Sequence, residues 1–130
     1  MANNLNGSKM RFLLTISLLG WLAMAQAESI RILVQNSPLA GSQYYAVDQF
    51  WSEIKVGDAL ELIREPDNKH DRNAIRVEWH GHKLGYLPRK ENRVVAAAMD
   101  AGDRLSARVS SMSDNKNPWQ RVAFEVFVEL

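Results

Sequence analysis

At 130 residues the chain has room for one domain, and a balance of 46% hydrophobic to 24% charged residues is that of an ordinary globular protein. It contains no cysteine, which excludes disulfides and cysteine-based zinc sites. Its formal net charge of +1 excludes the strongly basic profile with which proteins hold long duplex by neutralising phosphates.

The first 27 residues have the pattern of a signal peptide. Lys9 and Arg11 form a positive start, residues 12–25 are apolar apart from Thr15, Ser17 and Gly20, and Ala25-Gln26-Ala27 is a small-x-small cleavage site. Met10 would leave a workable positive start if translation began there. The apolar run is shorter than the roughly 20 residues of a spanning helix, so an uncleaved leader is the sole route expected to a membrane. The expected organisation is a signal peptide over 1–27 and one domain over 28–130, exported to a space such as a bacterial periplasm. Without the leader, 14 basic residues stand against 15 acidic ones, a net of −1. A cysteine-free exported domain must rest on its core alone, and about 100 residues suffice for that.

Residues 30–35 (IRILVQ) are apolar and β-branched, a first strand, and Asn36-Ser37-Pro38 ends it. Residues 41–54, with Tyr44, Tyr45, Val47, Phe50 and Trp51, suit a long bent strand. On a strand Tyr44 and Tyr45 would face opposite ways, one to the core and one outward. Val56-Gly57-Asp58 is a turn. Residues 60–64 alternate as a strand, and residues 74–79 pair with 83–87 across His80-Gly81-His82. Pro88 changes the period. Residues 89–101 place Val94, Val95, Ala98 and Met99 on one helical side, between a proline start and the stop at Gly102. Residues 104–110 return to strand, 111–118 form a polar loop, and 119–129 (WQRVAFEVFVE) form a last strand with Val122, Phe124, Val126 and Val128 alternating. Six or seven short strands with one helix predict a small all-β domain, a closed or nearly closed OB- or SH3-like barrel.

Between the strands at 60–64 and 74–79 runs Glu65-Pro66-Asp67-Asn68-Lys69-His70-Asp71-Arg72-Asn73. Asx side chains there can hold the loop by accepting backbone N–H groups, a role expected most of Asp67 and Asn73; Glu65-Pro66 would shape the loop and no more. The run Arg64-Glu65-Pro66-Asp67-Asn68, then Asp71, then Asn73-Ala74-Ile75-x-Val77, then Gly85-Tyr86-Leu87-Pro88, with Gly41-x-x-Tyr44-Tyr45 upstream, resembles the HIRAN domain in order and spacing over residues 29–130. The resemblance implies a compact barrel and a binding module for nucleic acid: HIRAN domains of replication-fork remodellers capture the 3′ end of single-stranded DNA. By resemblance Asp71 would accept the terminal hydroxyl, Asn68 would neighbour it, Tyr44 would stack on a base, Tyr86 would be the polar residue after the glycine, and Arg89 would meet a phosphate. His70 and Lys90 would support them. Where DNA-binding members carry an arginine beside the first tyrosine this chain has Gln43, and where they carry a second stacking aromatic it has His70.

Other chemistry finds less footing. His80-x-His82 lies on a turn far from His70, without cysteine or a helical HExxH, so no metal or other cofactor is expected. No serine sits in a nucleophile elbow and no glycine motif cradles phosphate, so an enzyme is not expected; a hydrolase using His70 and Asp71 would be the exception. The leading expectation is a monomeric, non-enzymatic module for single-stranded nucleic-acid ends. The alternative is an exported protein- or envelope-interaction module that keeps the barrel with a different ligand, such as a periplasmic protein.

Overall fold

The structure, a computed structural model, describes residues 30–130; the expected leader lies outside the described residues. Residues 31–130 form one compact unit. Its elements are β1 (Arg31–Pro38), β2 (Ala59–Arg64), β3 (Ile75–Trp79), β4 (His82–Tyr86), α1 (Arg93–Asp100), β5 (Arg104–Met112) and β6 (Val122–Glu129), with 3₁₀ turns at Ser42–Tyr44, Arg89–Glu91 and Pro118–Gln120.

The six strands form one antiparallel sheet in the order β1-β6-β5-β2-β3-β4. The expected barrel does not close: β1 and β4 remain the two edges. A single bridge spans the gap, where Ala40 and Tyr86 exchange backbone hydrogen bonds at 2.9 Å in both directions. Period-2 alternation sets the faces. In β3, Ile75, Val77 and Trp79 are buried while Arg76 and Glu78 lie half-buried on the other side. In β6, Val122, Phe124 and Val126 do the same, and Phe127 breaks the alternation, covered by the guanidinium groups of Arg31 and Arg108. Ile75, Val77, Trp79, Val122, Phe124 and Val126 meet Leu39, Val47, Ile54, Leu84, Leu87, Val95 and Ala96 in one core cluster, with Phe124 fully enclosed. The β3–β4 hairpin turns on His80 and Gly81, both at positive φ (45° and 78°), the two-residue geometry that matches strand twist.

Two expectations change. The long strand over 41–54 is instead a 3₁₀ turn followed by helical turns, in which Phe50 N–H donates to Ala46 O and Ile54 N–H to Phe50 O. The buried residues Val47 and Ile54, with Phe50 and Trp51 half-buried between them, recur at helical spacing; the aromatics suggested a strand, and the period decided otherwise. Consequently neither Tyr44 nor Tyr45 is core: both are exposed, at 77% and 37%. The helix over 89–101 is broken as well. Arg89–Glu91 make a 3₁₀ turn, Asn92 is buried, and α1 begins at Arg93 with Val94 turned to solvent and Val95 and Ala96 inward. It stops as expected at Gly102, where Gly102 N–H bonds Met99 O and Asp103 N–H bonds Ala98 O.

Candidate functional site

The loop between β2 and β3 is tied down by Arg64. Its guanidinium donates to Ala74 O (2.8 Å) and Arg72 O (3.0 Å) at the loop's far end, and grips Asp100 of α1 with two bonds at 2.9 and 3.1 Å. Inside the loop the polar roles fall on Asn68 and Asp71, not on Asp67 and Asn73. Asn68 Oδ1 accepts His70 N–H (2.9 Å) and Asp71 N–H (3.2 Å), and its Nδ2 donates to Glu65 Oε1 (3.0 Å). Asp71 Oδ1 accepts Asn73 N–H at 2.9 Å, and its Oδ2 accepts Asn92 Nδ2 at 2.8 Å. A loop whose amides are met by its own Asx side chains holds one shape.

Against this loop stands the end of β4. Gly85 lets it come close: a Cβ at that position would lie 2.3 Å from Ala40 O. Tyr86 and Tyr45 meet edge to face at 6.0 Å between ring centres. Together they line a cleft of about 290 Å³ with Ala40, Asn68, His70, Asp71, Ala74, Leu87 and Arg89. Two further recesses share Arg89. One of about 340 Å³ lies over the loop and adds Lys69, Arg72 and Asn73. The other, of about 740 Å³, is bounded by Pro38, Pro88, Lys90, Glu91 and Trp119. The sequence-derived residues Asn68, His70, Asp71, Tyr86 and Arg89 thus converge on one cleft. Tyr44 and Lys90 lie outside its lining, Tyr44 on the neighbouring 3₁₀ turn and Lys90 in the larger recess.

Behind the cleft is a polar cluster that motif reading missed. Glu65 Oε1 accepts Tyr86 Oη–H (2.9 Å) as well as Asn68, and Oε2 accepts Arg76 Nη1 (2.7 Å). Lys83 Nζ donates to Tyr86 Oη (2.7 Å) and sits 4.2 and 4.5 Å from the ring centres of Tyr45 and Tyr86. Burial pushes the Glu65 carboxyl up, but the bonds from Asn68, Tyr86 and Arg76 outweigh it and hold the group below the usual carboxylate range. Burial would likewise lower Lys83, yet its contacts with Tyr86 and Tyr45 hold its ammonium above the usual range. Burial, partly offset by Lys83, raises the Tyr86 phenol. Period-2 placement of Arg76 and Glu78 opposite the core was the one signal for this cluster; that β3 and β4 would align their polar faces on Glu65, just past the end of β2, needed the register. Trp119 is 54% exposed beside Arg89 and Lys90.

The fold and cleft define a small antiparallel-sheet binding domain. The family model described as the HIRAN domain matches residues 32–130, and the chain belongs to that family. A protein from Lactobacillus plantarum is similar in structure, with a TM-score of 0.69 and 28% identity over 78% of this chain and 98% of that one. The HIRAN domain of human HLTF shares the fold at a TM-score of 0.59 and 20% identity, covering 76% of this chain and 78% of that one. In sequence, the Fanconi-associated nuclease 1 homolog of Oryza sativa subsp. japonica is 30% identical over 90 residues, 66% of this chain; the match spans 9% of that relative's length.

Proposed function

We propose that the cleft beside Asp71 binds the 3′ end of a single nucleic-acid strand. HIRAN membership, with its association with nucleic-acid binding, supports the class of ligand. The observation that carries the reading is one cleft holding a carboxylate acceptor (Asp71), two tyrosine rings (Tyr45, Tyr86) and a cation (Arg89). Each suits one part of a strand end. The carboxylate accepts a terminal hydroxyl and repels a terminal phosphate. Aromatic faces stack any base, at about 1–3 kcal/mol per base. Arg89, with Lys69, Arg72 and Lys90 around the adjoining recesses, gives a basic rim to a domain whose net charge is close to zero. Asn68 and His70 shape the mouth, and exposed Tyr44 and Trp119, on neighbouring 3₁₀ turns, offer stacking faces. No catalytic step is assigned to these residues.

Fluorescence anisotropy with short oligonucleotides tests the reading. Wild-type protein should prefer a 3′-hydroxyl over a 3′-phosphate, and Asp71→Ala should weaken the 3′-hydroxyl ligand by roughly 10- to 100-fold, the loss of a hydrogen bond to a charged group. Equal binding of both ends, unchanged in Asp71→Ala, refutes it. A second reading, an exported module with a periplasmic protein as ligand, draws on the net charge of −1 over residues 28–130. A nuclease-resistant partner recovered from periplasmic extract, with no oligonucleotide binding, would favour it.

A further inference from the structure

Asn92 is 1% exposed and immediately precedes α1. An asparagine in that position ordinarily turns its side-chain oxygen onto the amides of its own first turn. Here it makes no such bond. Its backbone angles are already helical (φ −95°, ψ −15°), and its carbonyl accepts Ala96 N–H at 2.8 Å. The Nδ2 group crosses to the β2–β3 loop instead and donates to Asp71 Oδ2 at 2.8 Å. The other oxygen of Asp71 is held from within the loop by Asn73 N–H. Each carboxylate oxygen therefore has one fixed donor and keeps acceptor capacity for a second.

We infer that Asn92 is a positioning residue of the end-recognition site: it locks the Asp71 carboxylate in the orientation that accepts a terminal hydroxyl. The inference rests on the function proposed above and deepens it. Two features make the lock specific. Asp71 lies on a loop, and the Asn73 bond moves with that loop, so the tie from Asn92 sets the carboxylate against the rest of the cleft. Arg89 belongs to the 3₁₀ turn that directly precedes Asn92, so one short segment places both the cation and the acceptor. A carboxylate free to rotate would still repel phosphate weakly at a distance, but it would no longer meet a hydroxyl at bonding distance in every bound complex.

The test uses the full chain and short 5′-labelled oligothymidylates ending in a 3′-hydroxyl or a 3′-phosphate. Asn92→Ala and the similarly shaped Asn92→Leu should each reduce the preference for the hydroxyl end by roughly tenfold. Affinity for the 3′-phosphate oligonucleotide should stay at the wild-type level, because the rings and cations are untouched. A merely structural role would lower both affinities together, in step with the melting temperature. On wild-type protein, the Asn92 side-chain amide resonances should shift with the 3′-hydroxyl ligand and stay put with the 3′-phosphate one, which decides the matter if the variants do not fold. A wild-type preference that both variants retain, or amide resonances indifferent to the ligand's end, overturns the role of Asn92 alone. Absence of any preference in wild type overturns the underlying function and this role with it.

Discussion

Replacing Glu65 by alanine removes the acceptor on which three donors converge: Asn68 Nδ2, Tyr86 Oη and Arg76 Nη1, at 3.0, 2.9 and 2.7 Å. The Glu65 side chain is 19% exposed and that of Arg76 30%, so water reaches the orphaned donors in part. Each bond is then worth about 1 kcal/mol net. Arg76 keeps Glu78 at 2.7 Å, which limits the cost of losing its other carboxylate. The sum is about 3 kcal/mol, an upper figure because the bonds share one acceptor and do not add freely. For a domain of this size that corresponds to a fall of about 10–20 °C in melting temperature. Glu65→Gln keeps an acceptor for Tyr86 and Asn68 while losing the charge opposite Arg76, so its cost should be about 1 kcal/mol. Thermal unfolding followed by circular dichroism measures both. The pH dependence supplies a second reading. The folded Glu65 carboxyl lies below its unfolded value, so its stabilisation is present above the unfolded carboxylate range and is lost as pH falls through the folded value. The melting curves of wild type and Glu65→Ala should approach one another as pH falls through the folded Glu65 value. A Glu65→Ala protein within about 0.5 kcal/mol of wild type at neutral pH would refute the reasoning, since surface substitutions commonly fall in that range.

Two further outcomes are expected. Gly85→Ala drives a methyl group into the Ala40 carbonyl at 2.3 Å and against the Leu39 side chain at 3.1 Å; it should cost at least about 3 kcal/mol in urea unfolding, and a cost under about 1 kcal/mol would show that this contact is not needed. Lys83 and Tyr86 both titrate above their usual ranges in the folded protein. Stability should hold below the unfolded values near 10 and fall as pH rises through the folded ones, for the ammonium because its partners are lost and for the phenol because the unfolded chain ionises first; Tyr86→Phe, which removes the phenol and the acceptor of the Lys83 hydrogen bond together, should flatten that alkaline loss in a urea-midpoint series.

The elements with a clean period were legible from the residues. β3 alternates throughout and β6 does so up to Phe127, and His80-Gly81 marks the hairpin, with both residues at positive φ. The 41–54 segment misled because its aromatics favour strands by type while their spacing favours helical turns, and packing of Val47 and Ile54 settled the contest. Asn92 was invisible as anything but one residue of a helix, since its use depends on a carboxylate 21 positions away. The same holds for Glu65, dismissed as a loop-shaper next to proline, whose partners come from two strands and a loop. The motif residues Asn68, His70, Asp71, Tyr86 and Arg89 could be gathered by resemblance before any coordinates, but the ring beside them is Tyr45, with Tyr44 outside the lining, a difference that follows from the 3₁₀ turn at Ser42–Tyr44.

The bridge between Ala40 and Tyr86 gives the sheet a seam with a single rung. A barrel stitched by a full ladder would have to break many backbone bonds to widen its mouth. Here the rung belongs to the same tyrosine whose ring walls the cleft, so widening the entrance means parting its two hydrogen bonds and the Ala46 N–H to Lys83 O bond at 3.1 Å, while the five paired interfaces of the sheet stay zipped. The domain can yield at the mouth of the cleft and remain folded everywhere else.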